Sequence, residues 1–375
     1  VGFCSKVGST KTSTKEQQKP TMDILALLQP IEESLSKTTL RQMKRVITAM
    51  LSITGRVTML GLSRWTEQGG SYRTIQRFYG RVMPWMQIQW LFFRSQFLKS
   101  GQEYILAGDE TVVSKAGKQT HGLDRFFSGI YQRVIPSIAF FALSLINIEE
   151  GHSYPIQMRQ VIKMEEEKAA NRRKAEGRKE RENSTKKRKR GRPKGSKNKQ
   201  NQAEERNPEL IRIQASLQSV LTTIGKTIVL KYIALDGHFG NYPSVKMVKE
   251  LGLEIVSKMR SDASLFLKFT GKQNKRGRKR VYGEKLNYST MPSHLLKAST
   301  IEGNLRTEIY QGKFLNKSFR YPLNVVIIIK TNLTNQKQAH VILFSTDLEL
   351  DYERLIRFYS LRFQIEFNFR DAKQH

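Results

Sequence analysis

The chain has 375 residues, and its 65 lysines and arginines against 33 aspartates and glutamates leave a formal charge of +32. An excess of this size points to a polyanionic partner, nucleic acid above all, and argues against a small-molecule enzyme. The longest apolar run, residues 134–148, is too short to span a bilayer and is broken by Pro136 and Ser137; no signal peptide is visible; and a single cysteine, Cys4, excludes internal disulfides and multi-cysteine zinc sites.

Residues 1–21 are polar and aperiodic, which predicts a flexible tail. Residues 22–101 predict a helical domain, with Leu40, Met43, Val46, Ile47 and Met50 recurring at threes and fours. Within it, residues 60–79 place Gly69 and Gly70 between two helical stretches, the second capped by Ser71 and carrying Arg73, Arg77 and Tyr79. That pattern suits either a plain helical hairpin or a helix-turn-helix that meets DNA.

From residue 102 the texture changes to apolar runs of strand length. Residues 104–107 predict one strand, and residues 134–148 are long enough for two paired segments, so residues 102–162 read as the first part of an α/β core. Residues 163–206 open with helical Glu and Lys runs, then degenerate into KKRKRGRPKGSKNKQNQ, and predict a basic disordered linker. The core resumes over residues 207–260 with an amphipathic helix (Leu210, Ile213, Leu217, Val220, Leu221, Ile224), a strand over 227–235 and a short helix over 244–251. Residues 261–340 mix strand-like pieces with a basic loop at 272–280 and read as a β-rich insertion; residues 341–375 predict the last core helix. The chain starts with Val and stops at His375 inside that helix, so it is expected to be truncated.

Asp109 and Asp236 each close an apolar strand in this reading, and strand ends are where α/β sheets bind ligands. Alone, an aspartate after a strand is usually just a turn residue or helix cap. The third element is the segment YSLRFQIEFNFRDAK, a helix that Asp351 would cap. On a continuous helix at ~100° per residue, Tyr359, Arg362, Glu366 and Lys373 share one face beside an apolar stripe of Phe358, Leu361, Ile365, Phe369 and Ala372. Arg362 and Glu366 by themselves are no more than an i, i+4 ion pair. Three carboxylates meeting in one cleft are a different matter.

The spacing Y-x2-R-x3-E-x6-K resembles the signature of bacterial insertion-sequence transposases of family four, and Tyr359, Arg362, Glu366 and Lys373 match it position for position. The surroundings GDETVVSKAGKQTHGLDRFFS, ALDGHFGN and FQIEFNFRDAKQH are similar to cyanobacterial members. The resemblance implies an α/β, ribonuclease-H-like catalytic core with a β-rich insertion, preceded by an α-helical DNA-binding domain. It implies Asp109, Asp236 and Glu366 as catalytic residues that ligate two divalent ions, magnesium or manganese, with Tyr359, Arg362 and Lys373 contacting DNA. Such a transposase cuts and joins DNA at the terminal inverted repeats of an insertion sequence, acts on double-stranded target DNA as a homodimer in the complex, and works in the bacterial cytoplasm at the nucleoid. The alternatives are a truncated or inactive relative that only binds DNA, and a non-catalytic basic RNA-binding protein.

Three smaller features stay open. Arg190, Gly191, Arg192 and Pro193 suit an AT-hook in a narrow minor groove, or a basic linker that binds phosphates without preference. His121 and His238 lie near the aspartates in sequence with no His-based metal spacing around them. Glu110 follows Asp109 and, on a continuing strand, faces the other way.

Overall fold

The structure is a computed structural model that describes residues 26–65, 70–117, 119–183 and 207–374. The predicted tail and the Arg190–Pro193 motif lie outside the described residues.

The chain divides into two compact units, one of residues up to Pro84 together with Arg94–Phe97, the other of Trp85–Phe93 and everything from Leu98 onward. In the first, a 3-10 segment (Ala26–Ser34) leads into α1 (Lys37–Ser52), α2 (Met59–Trp65) and α3 (Tyr72–Tyr79). The stripe of α1 that is buried is Thr39, Met43, Val46 and Ala49, so Met50 of the expected stripe is exposed. Ser71 does cap α3, its hydroxyl accepting from Thr74 N–H. Ile75 and Phe78 face inward from α3, leaving Arg73, Arg77 and Tyr79 exposed.

Helix α4 (Trp85–Gln96), whose residues up to Phe93 belong to the second unit, sends Trp90 and Phe93 into the core of the sheet. The strands follow as β1 (Tyr104–Ser114), β2 (Asp124–Ser128), β3 (Arg133–Asn147) and β4 (Ser153–Val161). Residues 134–147, expected with Ile148 as two segments, fall in one 15-residue strand, because β3 is paired from Ser137 to Asn147 by β1 on one side and by β2 and β4 in succession on the other. Then come α5 (Glu165–Asn183), α6 (Pro208–Ile224), β5 (Tyr232–Leu235), α7 (Tyr242–Glu250) and β6 (Glu254–Met259).

Helix α5 takes up the helical Glu and Lys runs that open the stretch read as a linker, and the basic run after Asn183 lies outside the described residues up to Arg206. Three glutamates in its first turn favour the helix dipole, Lys168 pairs with Glu165, and Arg212 of α6 makes two hydrogen bonds to Glu167. The strand expected over 227–235 shortens to its last four residues, the part that pairs with β1 and β6.

Strands β7 (Phe266–Lys268) and β8 (Tyr282–Lys285) form a small separate hairpin. Strands β9 (Leu296–Glu302), β10 (Leu305–Phe314), β11 (Leu323–Asn332) and β12 (Gln338–Ser345) form an antiparallel meander that joins β6 edge to edge. Among the described residues one ten-stranded sheet runs β2-β3-β1-β5-β6-β12-β11-β10-β9, with β4 also on β3. Only β1, β5 and β6 are parallel neighbours. The block read as an insertion therefore extends the main sheet, and its expected end at residue 340 falls inside β12. Helices α8 (Tyr352–Leu361) and α9 (Gln364–Gln374) close the chain. The architecture is α/β, and the antiparallel β4-β3-β1 leading into parallel β1-β5-β6 is consistent with a ribonuclease-H-like fold.

The sheet buries both faces. Leu106, Leu143, Ile233, Leu235 and Ile255 point to the side covered by α6 and α7; Ile105, Ala107, Tyr232, Ala234 and Val256 point to the side covered by α8. Strand alternation then dictates where the polar residues that follow must face.

Candidate active site

Along β1 the alternation that sends Ile105 and Ala107 towards α8 sends Asp109 the same way and Glu110 the other. The parallel register pairs Leu106 with Ile233 and Gly108 with Leu235, so the next step sets Asp109 beside Asp236. The two aspartates are neighbours for a simple reason: each comes one residue after a matched pair on adjacent strands. Asp109 lies in mid-strand, however, since β1 continues to Ser114 along β3. Asp236 does follow the end of its strand, where it starts the 3-10 turn Gly237–Phe239 and its carbonyl accepts from Ser257 Oγ at 2.9 Å.

The opposite wall is α8, anchored at both ends. Asp351 caps its start, accepting from Glu353 N–H, and Asn324 Nδ2 donates to the carbonyls of Asp347 and Leu350 just before it. Near its end Arg357 Nε donates to the Ile148 carbonyl at 3.0 Å. Asn368 of α9 is tied to β3 and β4 through Ser144 Oγ (3.0 Å) and Ser153 Oγ (2.8 Å).

The expected single helix is broken. Arg362 and Phe363 form a turn between α8 and α9, tightened by i, i+3 hydrogen bonds from the N–H groups of Phe363, Ile365 and Glu366. The four signature residues thus do not share one helical face. Phe358 and Leu361 bury against the sheet, Ile365 and Phe369 bury with Ala142, and Ala372 is exposed. The break turns Arg362 inward: its side chain is only 5% exposed, Nη1 bonds to Asp109 Oδ2 at 2.9 Å, and Nη2 pairs with Asp236 Oδ1 at 3.7 Å. Tyr359 and Phe363 flank the guanidinium, with ring centroids 5.7 and 4.4 Å from its carbon.

Glu366 sits in the first turn of α9, exposed, and near enough for its charge to act on Asp109. Burial lifts the Asp109 carboxyl above its ordinary proton affinity; Arg362 and the Glu110 N–H oppose that, while Asp236 and Glu366 add to it. Asp109 therefore feels two other carboxylates and one guanidinium. Tyr359 is buried in the core under α8, and that burial raises its phenol pKa. Lys373 is exposed two turns beyond Glu366, about 10 Å along α9.

The His121 carbonyl accepts from Gln160 Nε2, and His238 pairs with Glu209 at 3.3 Å, which lifts its pKa, with the charges of Asp236 and Glu110 adding to it. Glu110, Glu209, Arg212 and His238 form a polar cluster on the other face of β1, and burial followed by the Glu209 charge raises the Glu110 pKa. The partnership of Arg362 with both aspartates was hidden in the sequence. The signature spacing puts Arg362 beside Glu366, and only the turn at 362–363 takes it away.

A metal ion would meet hard oxygen donors here, and the adjacent aspartates fit a divalent cation in chemistry. Their shared place is taken by Arg362, and among the described residues no three His, Cys, Asp or Glu side chains stand together as a ready metal site. The aspartate pair fits; the full three-carboxylate set is not assembled in this conformation.

An α/β sheet with an aspartate on one strand and a second just past the end of its parallel neighbour is consistent with a DDE-type nuclease. The chain belongs to the DDE superfamily endonuclease family, whose sequence profile matches residues 30–310. The match takes in Asp109 and Asp236 and ends before Glu366. A search of curated proteins finds no match. Among the described residues no helix is long and apolar enough to cross a membrane.

Proposed function

We propose that this chain is a DNA transposase, similar to the insertion-sequence enzymes of family four, that cleaves and rejoins DNA at the ends of a mobile element. The observation that carries this is the juxtaposition of Asp109 on β1 and Asp236 just past the end of β5, with Glu366 close enough to add its charge. In this reading the three carboxylates hold magnesium or manganese. Bound there, two such ions would supply activation of the attacking water or 3′-hydroxyl and stabilisation of the leaving oxygen. The protein's own part is to bring the carboxylates together on rigid strands and a pinned helix, and to hold DNA by its backbone. Lys373 and a displaced Arg362 contact phosphates, and Tyr359 backs Arg362 rather than stacking on a base, since it is buried. The basic helix α3 and the +32 charge supply the duplex-binding surface, and the DNA complex forms around a homodimer.

The test is nicking of supercoiled plasmid by the full chain with magnesium or manganese. Asp109→Asn, Asp236→Asn and Glu366→Gln should each lower the rate by about a hundredfold or more, the scale of losing one transition-state ligand, while duplex binding persists. If Glu366→Gln cuts at the parental rate, the glutamate is wrongly assigned. If the parent binds DNA and never cuts it, the non-catalytic DNA-binding relative becomes the better description.

A further inference from the structure

Arg362 is in an unusual position for a residue expected to grip a phosphate. Its terminal nitrogens both face aspartates, its Nε is buried with no hydrogen-bond partner, and two aromatic rings flank its plane. Two carboxylates this close repel each other, and the repulsion grows as water is excluded. A planar guanidinium can reach both at once, which the single ammonium of a lysine cannot match.

We infer that Arg362 is the resident counter-ion of the Asp109 and Asp236 pair: its guanidinium holds the two carboxylates together and fills the place where they would share a divalent cation. Arg362 must leave that seat for a cation to enter. Charge and volume both require it, because a guanidinium and a metal ion cannot occupy the space between the same two oxygens. The seat is built for leaving. Arg362 lies in a turn rather than in a helix, its Nε gains nothing from the buried position, and only the Nη1 contact has hydrogen-bond length. Once displaced, the same side chain is available to a DNA phosphate at the cleft, so cation entry and phosphate capture are coupled through one residue. Arg362 is thus a positioning residue before it is a DNA contact.

This inference rests on the aspartates being the metal ligands, and the experiment separates the two. Manganese binding to the full chain without DNA is measured from the free-ion paramagnetic resonance signal. Arg362→Ala should bind manganese about tenfold more tightly than the parent; Arg362→Lys should fall between them; adding Asp236→Asn to Arg362→Ala should remove the gain. Arg362→Gln, planar but uncharged, carries the comparison if the alanine variant does not fold, as judged by circular dichroism. Suppose Asp236→Asn weakens manganese binding in the parent while Arg362→Ala and Arg362→Gln leave it equal or weaker: the counter-ion role is then overturned and the metal site stands. If Asp236→Asn changes nothing in either background, the metal site itself is wrong and the inference falls with it.

Discussion

Asp347 stands where β12 hands over to α8, and it takes a hydrogen bond from Tyr232 Oη (2.6 Å) and an ion pair from Lys231 (2.7 Å). Burial alone would raise its pKa, but the contacts from Lys231 and Tyr232, with the Glu349 N–H behind them, outweigh it and hold the carboxyl down at about 2. The unfolded value is about 3.9. A depressed carboxyl stabilises the fold fully above about pH 4, and that contribution is lost as the pH falls towards 2. Asp347→Asn should therefore flatten the acid limb of stability between about pH 4 and pH 2. At neutral pH it should cost about 1 kcal/mol, discounted from the full shift because Lys231 is more than half exposed. Urea midpoints across that range check it; an unchanged acid limb would show that the contact contributes nothing.

The helix caps are legible in the sequence, because capping is a local bargain between one side chain and the next turn: Ser71 and Asp351 both do what their positions announce. The break between α8 and α9 is not legible there. Arg362, in that break, meets a distant pair of carboxylates, and spacing along one helix carries no trace of them. Nor is the close approach that fixes Asp236. After the 3-10 turn, Gly240 lies against β6 so tightly that an added Cβ would stand 2.2 Å from the Lys258 carbonyl oxygen and 3.1 Å from that of Gly237. Both neighbours are backbone, and Lys258 is held in the sheet by β12. Gly240→Ala should push the turn off β6, destabilising by about 1–3 kcal/mol and moving Asp236 with it. A denaturant midpoint within error of the parent would mean the turn relaxes freely.

The alternation of strands and helices marks the α/β core in the sequence, since periodicity reports which face of an element is buried. What periodicity cannot report is which core an element joins. Helix α4 reads like the helices before it, so the sequence boundary falls at residue 101, yet Trp85–Phe93 belongs with the sheet. Phe93 meets Tyr104 edge-on at 5.7 Å and lies 5.0 Å from Tyr154, Trp90 stacks on Phe93 at 5.8 Å, and Gln157 Nε2 reaches Met86 Sδ at 3.1 Å. A chain cut to residues 102–375 would strip two aromatic side chains from the core that supports β1, and with it Asp109. Losing one buried Phe or Trp costs about 3–5 kcal/mol, a large share of the roughly 5–15 kcal/mol that holds a domain folded. The fragment 85–375 should melt cooperatively, whereas 102–375 should unfold at a far lower denaturant concentration or fail to remain in solution. Equal midpoints for the two fragments would show that α4 is dispensable to the sheet and that the boundary lies where periodicity alone puts it.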